Sequence, residues 1–364
     1  GSGFGTNFRI TTWGETHGAG VGVVVDGCPA GLPLEREDVQ KYLDRRKPGQ
    51  SKYTTQRKEG DQVEILSGIF EGRTTGTPIS MVVYNKDQRS KDYSNIKDIY
   101  RPGHADFTFD MKYGFRDYRG GGRSSGRETI GRVAAGAVAA KVLKELGIEI
   151  KAYAKAIAGI EVSKEHFDFA EMNNNPFNMP DKEAAKLVQE KADQMIKEMD
   201  SIGGIIECQI TGMPVGIGET VFDKLDAELS KAIMSIGSVK GFEIGDGFEA
   251  ANLRGSENND DFICVDGKVE KETNHSGGVL GGMSDGSAIV FRAAIKPTPS
   301  IAQTQKTVNR DLDNVEIEIH GRHDPMIVPR AVVVVESMAA VTILDGVLKN
   351  LGATMDNIKK IYGE

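Results

Sequence analysis

Three consecutive glycines, Gly120–Gly122, sit inside the arginine-rich run Lys112-Tyr-Gly-Phe-Arg-Asp-Tyr-Arg-Gly-Gly-Gly-Arg-Ser-Ser-Gly-Arg127. Glycine has no Cβ, so such a run lets backbone pass close to another group. The run continues into Ser125-Gly-Arg-Glu128, the spacing of a capping box, which predicts a helix start there. Unpaired N–H groups and the helix dipole at such a start favour anions. Arg116, Arg119, Arg123 and Arg127 add fixed positive charge. Together these features predict a site for a small polyanion. The plainer reading is a glycine-rich turn bordered by surface arginines.

Around this segment, short β-like runs alternate with longer helical patterns. Gly20–Gly27 reads as a buried strand, and Val63–Phe70 and Ile79–Tyr84 as strands rich in apolar and β-branched residues. Leu34–Lys47 reads as a helix stopped by Pro48-Gly49. Thr129–Leu146 predicts a well-buried helix closed by Gly147. Lys182–Met199 is amphipathic, with Ala184, Ala185, Leu187, Val188, Ala192 and Ile196 on one side. Ile205–Ile210, Ser287–Ile295 and Val315–His320 read as further strands, and Arg330–Leu351 as a core helix. Asp87–Gly126 and Glu165–Asp181 are polar stretches, and a loop as long as the first is commonly functional. No internal repeat or linker composition divides the chain. The reading is an α/β or α+β fold in one large domain over residues 1–364, with Gly1-Ser2 a scar of recombinant expression.

Composition removes several classes. The chain carries 45 Lys plus Arg against 53 Asp plus Glu, a formal charge of −8, which argues against a sequence-independent nucleic-acid binder. No run approaches the ~18 apolar residues of a membrane span. The start lacks a basic segment followed by an apolar one, so no secretory signal is expected. Cys28, Cys208 and Cys264 are odd in number and far apart, which suits a reduced, cytoplasmic protein better than a disulfide or metal framework.

Four other segments carry chemistry. Thr11-Thr-Trp-Gly-Glu-Thr-His-Gly18 presents His17, which can exchange a proton near neutral pH; the alternative is a structural histidine. Arg45–Lys58 holds six cations and no acid, a local inversion that can clamp phosphate or carboxylate, or merely form a solvated loop. Gly277-Gly-Val-Leu-Gly-Gly-Met-Ser-Asp-Gly286 precedes a strand ending in Lys296-Pro-Thr-Pro-Ser300, and borders a ligand cleft or makes tight turns. It is neither a Walker A loop nor a dinucleotide fingerprint. His320-Gly-Arg-His-Asp-Pro325 offers proton transfer and anion binding, and its spacing matches no strong zinc signature. His166 reads as a surface residue, and His275 has no charged group beside it in sequence.

Taken in order, these segments resemble the chorismate synthase family. That family carries T-T-x-G-E-[ST]-H-G, R-P-G-H-A-D, K-Y-G-x-R-D-x-R-G-G-G-R-S-S and G-R-H-D-P, which stand here at Thr11–Gly18, Arg101–Asp106, Lys112–Ser125 and Gly321–Pro325. R-R-x-P-G-Q-S and L-S-G-x-F-x-G-x-T-T-G-T-P match at Arg45–Ser51 and Leu66–Pro78. The resemblance covers nearly the whole chain.

The resemblance implies a β-α-β sandwich assembled as a homotetramer. It implies conversion of 5-enolpyruvylshikimate 3-phosphate to chorismate with loss of phosphate, a carbon–oxygen lyase reaction at the last common step of the shikimate pathway. It implies reduced FMN as cofactor. It leaves open whether NADPH reduces the flavin on the enzyme or an external flavin reductase does so. By resemblance, His17 protonates the departing phosphate, His104 supplies a proton near the flavin, and Asp324 assists proton removal. Arg45, Arg46, Lys52 and Arg127 hold the substrate's anionic groups. Arg123, Ser124, Ser125, Gly237, Ser238, Gly281, Lys296, Pro297, Thr298, Pro299, Ser300 and Arg322 contact FMN. Thr16 replaces a commoner Ser, Gly126 a commoner Ala, and Gly237-Ser238 a commoner Asn-Ala pair. Two readings from other classes are a non-catalytic flavin- or phosphate-binding protein, and an RNA binder using Arg45–Lys58. The acidic total and the lack of aromatic platforms beyond Tyr53 argue against the second.

Overall fold

The first third of the chain builds an antiparallel sheet in which the strand over residues 9–14 alternates exposed and buried residues while the strands over 20–26 and 79–84 are buried along most of their length. A computed structural model describes residues 1–47, 50–54, 60–86, 95–320 and 325–363. In chain order the elements begin with β1 (Gly3–Phe4), β2 (Arg9–Gly14), β3 (Gly20–Asp26), α1 (Arg36–Arg46) and β4 (Val63–Ile65). The small hairpin β5 (Ile69–Phe70) and β6 (Arg73–Thr74) follows, then β7 (Ile79–Tyr84). The sheet order is β1-β2-β3-β7-β4. Its central strand, β3, is the glycine- and valine-rich run read as buried from sequence.

Two helices follow, α2 (Asp106–Tyr113) and α3 (Thr129–Glu145). The second half supplies β8 (Glu149–Ile157), β9 (Ile160–Glu161), α4 (Lys182–Lys197), β10 (Gly204–Thr211), α5 (Leu225–Met234), β11 (Val239–Ile244) and the one-turn α6 (Gly255–Asn258). Then come hairpins β12 (Phe262–Val265)–β13 (Lys268–Lys271) and β14 (Val279–Leu280)–β15 (Met283–Ser284), strand β16 (Ile289–Ile295), hairpin β17 (Thr304–Val308)–β18 (Asn314–Glu318), α7 (Val328–Lys349) and α8 (Met355–Tyr362). The second sheet runs β11-β16-β10-β8-β9 and is also antiparallel throughout. In its centre, Cys208 of β10 lies opposite Phe291 of β16 and Ala152 of β8, and all three face the core.

The helices fill the space between the sheets. Helix α3 packs on β2, β3 and β7, while α7 packs on β8 and β10. The two helices pack against each other, with α1 beside α3 and α5 beside α7. Buried Ala134, Ala135, Ala137 and Ala139 keep α3 thin enough for this middle layer. The result is the β-α-β sandwich the family resemblance implied. Antiparallel sheets make it α+β, rather than a parallel α/β fold.

The structure corrects several local readings. Val63–Phe70 is not one strand: Gly68, at φ +80°, turns the chain between β4 and β5. The capping box does not form. Ser125 accepts from Arg127 N and opens a 3₁₀ turn over Gly126–Glu128 before α3, while Glu128 turns away to pair with Arg132 at 3.0 Å. Helix α4 is capped by Asp181, which accepts from the N–H groups of Glu183 and Ala184. Burial opposes ionisation of Asp181, but these bonds and one from Ser163 N outweigh it and hold its carboxyl below the usual range. Residues Val328–Gly352 are long and apolar enough to cross a membrane, contrary to the sequence reading. However, 78% of that helical window is buried in the middle layer, as suits a core helix. Cys28, Cys208 and Cys264 are all free thiols.

Candidate functional site

His17 stands on the β2–β3 connection, and the glycine run is what it packs against. A Cβ on Gly120 would lie 2.3 Å from His17 Cδ2 and 2.8 Å from Nε2, so only glycine permits this approach. His17 itself is 8% exposed. Asn85 fastens its loop, donating from Nδ2 to the carbonyls of Glu15 and Gly18 at 3.0 and 2.8 Å. The Oδ1 atom of Asn85 accepts from Arg127 Nε at 2.6 Å. Arg127 also reaches Asp61, and Asp61 bridges to Arg46, each at 2.9 Å. Arg46 donates further to Thr129 Oγ1 at 2.8 Å. Arg46, Asp61 and Arg127 are all buried, and among the described residues the cluster sets two guanidinium cations against one carboxylate.

Sequence reading missed Asp61 and Asn85. Asp61 lies three residues beyond the basic run, and its pairing with Arg127 spans 66 residues. Arg57 and Lys58 lie outside the described residues, while Arg45, Lys52, Arg116, Arg119 and Arg123 are also partnered. Arg45 pairs with the buried Glu336 of α7 at 2.5 Å. Lys52 pairs with Asp193 at 3.0 Å and lies over the Tyr53 ring. Arg116 binds Asp110, and Arg119 binds Asp117. Arg123 ties the glycine loop to β2 through Thr12 Oγ1 and the carbonyls of Thr12 and Gly14. Ser124 Oγ bonds the carbonyl of Gly121.

His104 belongs to a second cluster. Its motif partner Asp106 grips Arg101 through two side-chain bonds of 2.8 and 2.9 Å and also accepts from Arg101 N. His104 Nδ1 lies 2.9 Å from the Pro102 carbonyl, and Nε2 lies 2.9 Å from Ser300 Oγ. The segment 296–300 straps this loop. Lys296 Nζ donates to the Gly103 carbonyl at 3.0 Å, and Pro299 packs against Gly103. Lys296 N donates to Ser238 O, which brings the Gly237-Ser238 turn to the same place. Pro297 is exposed, and Thr298 Oγ1 is buried with no hydrogen bond among the described residues. Burial first, and then Arg101, push the His104 imidazole down to about 4. It is therefore neutral at pH 7 in this state, not poised there as an unperturbed histidine would be.

A cleft of about 640 Å³ is lined by Lys52, Asp193, Lys197, Ser300, Ile301 and Pro325 among others, and so brings one residue of the predicted substrate set, Lys52, to the same cavity as one of the predicted flavin set, Ser300. Arg322 and Asp324 lie outside the described residues. Gly281 does not join this group. It turns the β14–β15 hairpin, whose Gly282 carbonyl accepts from Leu225 N at the start of α5. Gly237-Ser238 follows the other end of that helix. His275, read as isolated, bonds Asp246 at 2.6 Å. His320 is exposed beside Glu318, and among the described residues no group of three His, Cys, Asp or Glu side chains could hold a metal.

With this geometry in view, comparison with known proteins is decisive. The chorismate synthase family profile matches residues 8–348. The chain belongs to the chorismate synthase family. It is 67% identical to the chorismate synthase of Lachnospira eligens, across all of this chain and 99% of that protein. It is 56% identical to that of Methanococcoides burtonii, across 96% of each. A crystal structure of a chorismate synthase superposes with a TM-score of 0.77 at 31% identity, covering 98% of this chain and 96% of the other. The activity is that of the family: elimination of phosphate from 5-enolpyruvylshikimate 3-phosphate to give chorismate, by a carbon–oxygen lyase of aromatic amino-acid biosynthesis. A non-catalytic binding protein on this fold is not favoured.

Proposed function

We propose that His17 and the Arg46–Asp61–Arg127 cluster form the phosphate-elimination half of the site, and that the His104–Ser300 strap faces reduced FMN. The observation that carries this reading is Asn85. It fastens the His17 loop to Arg127, so a proton donor sits beside buried guanidinium groups. A departing phosphate needs both, because protonation and fixed positive charge stabilise the charge that develops on it. Asp61 holds both arginines in place before substrate arrives. Arg45 and Lys52, now bound to Glu336 and Asp193, are the outer cations toward the substrate's carboxylates.

The residues on the strap suit a flavin. Thr298 offers a buried hydroxyl with no described partner, and Lys296, Ser300 and Ser238 gather polar groups at one edge. Arg123, Ser124 and Ser125 shape the adjoining glycine loop. Reduced FMN, when bound, supplies transient electron density that aids phosphate departure. Asp324 and Arg322 keep their roles on family resemblance. Gly281, in the β14–β15 hairpin beside the start of α5, likewise keeps its role on family resemblance. A homotetramer is supported by the exposed Phe222 and Phe248, and a reducing compartment by the three free cysteines.

The test is chorismate formation by His17→Ala and His104→Ala under dithionite-reduced FMN. Each is expected to lose roughly 10²–10⁴-fold in turnover while keeping its circular dichroism spectrum. Unchanged turnover in both would remove the assigned roles. Replacing dithionite by NADPH in the same assay decides whether an external flavin reductase is needed.

A further inference from the structure

We propose that Ser300 is the positioning residue for His104, holding the Nε2 side of a ring whose Nδ1–H tautomer the Pro102 carbonyl fixes, and standing as the proton conduit between Nε2 and the cleft. This inference deepens the reading above and rests on it. The Pro102 carbonyl has no hydrogen to give, so Nδ1 at 2.9 Å carries one and donates. A neutral imidazole has only one N–H. Nε2 therefore presents its lone pair, and the Ser300 hydroxyl donates to it at 2.9 Å. A base oriented by one acceptor and bonded to a hydroxyl on its other side is the usual way to hold a proton-transfer pair.

Ser300 lines the cleft. A ligand there meets the serine oxygen, with Nε2 behind it. The exchange then balances simply. A proton arriving at Ser300 Oγ displaces the hydroxyl hydrogen to Nε2. The hydroxyl is regenerated, and the imidazolium keeps both bonds, to Pro102 O and to Ser300 Oγ. The reverse motion delivers one proton to the cleft.

Both ends of the pair are held. Lys296 Nζ bonds the Gly103 carbonyl, and Ser201 Oγ donates to Thr298 O at 2.6 Å. The charged groups acting on the ring are Arg101 and Lys296, which oppose its protonation, and Asp106, which favours it. An anion in the cleft counters the two cations, so ligand binding raises the basicity of His104 when the conduit is used.

The experiment is ¹⁵N NMR of His104 in flavin-free wild type, Ser300→Ala and Ser300→Thr, with kcat–pH profiles of the reduced-FMN reaction for all three. Wild type is expected to show a single Nδ1–H tautomer. Ser300→Ala is expected to keep the Nδ1–H tautomer but move the Nε2 resonance downfield as its lone pair loses a donor, lose about tenfold or more in kcat with KM for substrate changed less than threefold, and shift the acid limb of the profile. Ser300→Thr, which keeps the hydroxyl, restores all three. If Ser300→Ala does not fold, Ser300→Gly replaces it in the same comparison. An unmoved Nε2 resonance and a superimposable pH profile in the variant without a hydroxyl would overturn the proposal. The NMR readout needs no turnover: an Nε2 resonance moved in Ser300→Ala and restored in Ser300→Thr, without chorismate from any form, would uphold the positioning role and refute the functional reading.

Discussion

Replacing Gly120 by alanine places a methyl group where the His17 ring now lies. The new Cβ would be 2.3 Å from Cδ2, whereas ordinary contact begins at 3.4 Å. The imidazole must therefore move by about 1 Å, or the glycine loop must withdraw by as much. A misplacement of about 1 Å costs a catalytic group roughly 10²-fold in rate, equivalent to about 2.7 kcal/mol of transition-state stabilisation. The backbone at Gly120 is not in the left-handed region, so alanine imposes no conformational penalty and the steric effect stands alone. Gly126→Ala is the matched control. A Cβ there meets nothing within 4 Å, and the backbone tolerates it. It should leave turnover unchanged and stabilise the fold by about 0.4–1 kcal/mol through the unfolded state. The assay is initial rate of chorismate formation under anaerobic conditions with reduced FMN, alongside urea unfolding of both variants. Gly120→Ala within twofold of wild type would refute the view that the glycine run exists to seat His17.

Two further outcomes follow from the buried charges. Asp61→Ala leaves Arg46 and Arg127 without their shared carboxylate, and should destabilise the protein by about 3–5 kcal/mol in urea unfolding; a loss below about 1 kcal/mol would show that the cluster is not a buried charge network. His104 protonates near 6.5 in the unfolded chain but only at about 4 in the folded one. Its contribution to stability is therefore complete above pH ~6.5 and drains as pH falls toward about 4. Urea midpoints measured across that window should fall less steeply for His104→Gln than for wild type, and parallel curves would contradict the depressed value.

The sequence was most informative where interactions are local or motifs are long. The amphipathic pattern of Lys182–Met199 and the apolar run after Arg330 each correspond to one helix, α4 and α7. The ordered motifs identified the family, and with it the sandwich, which periodicity alone did not. What the sequence concealed was pairing at a distance. The arginine run looked like unneutralised charge because Asp61, Glu336 and Asp193 arrive from other parts of the fold. The Ser125–Glu128 spacing looked like a capping box, but Glu128 meets Arg132 instead and the first turn tightens to 3₁₀. The depressed basicity of His104 was not legible either, because its burial and the nearness of Arg101 are tertiary facts. The glycine run, which suggested close approach to a polyanion, has at Gly120 a nearer cause: room for an imidazole.

The central claim is that this site eliminates phosphate with the help of reduced FMN. The most direct measurement supplies the purified protein anaerobically with 5-enolpyruvylshikimate 3-phosphate and either dithionite-reduced or oxidised FMN, and quantifies chorismate and phosphate together. The account predicts one chorismate per phosphate released with reduced FMN, and neither product with oxidised FMN. Absence of chorismate with reduced flavin, or equal formation with both flavin states, would contradict it.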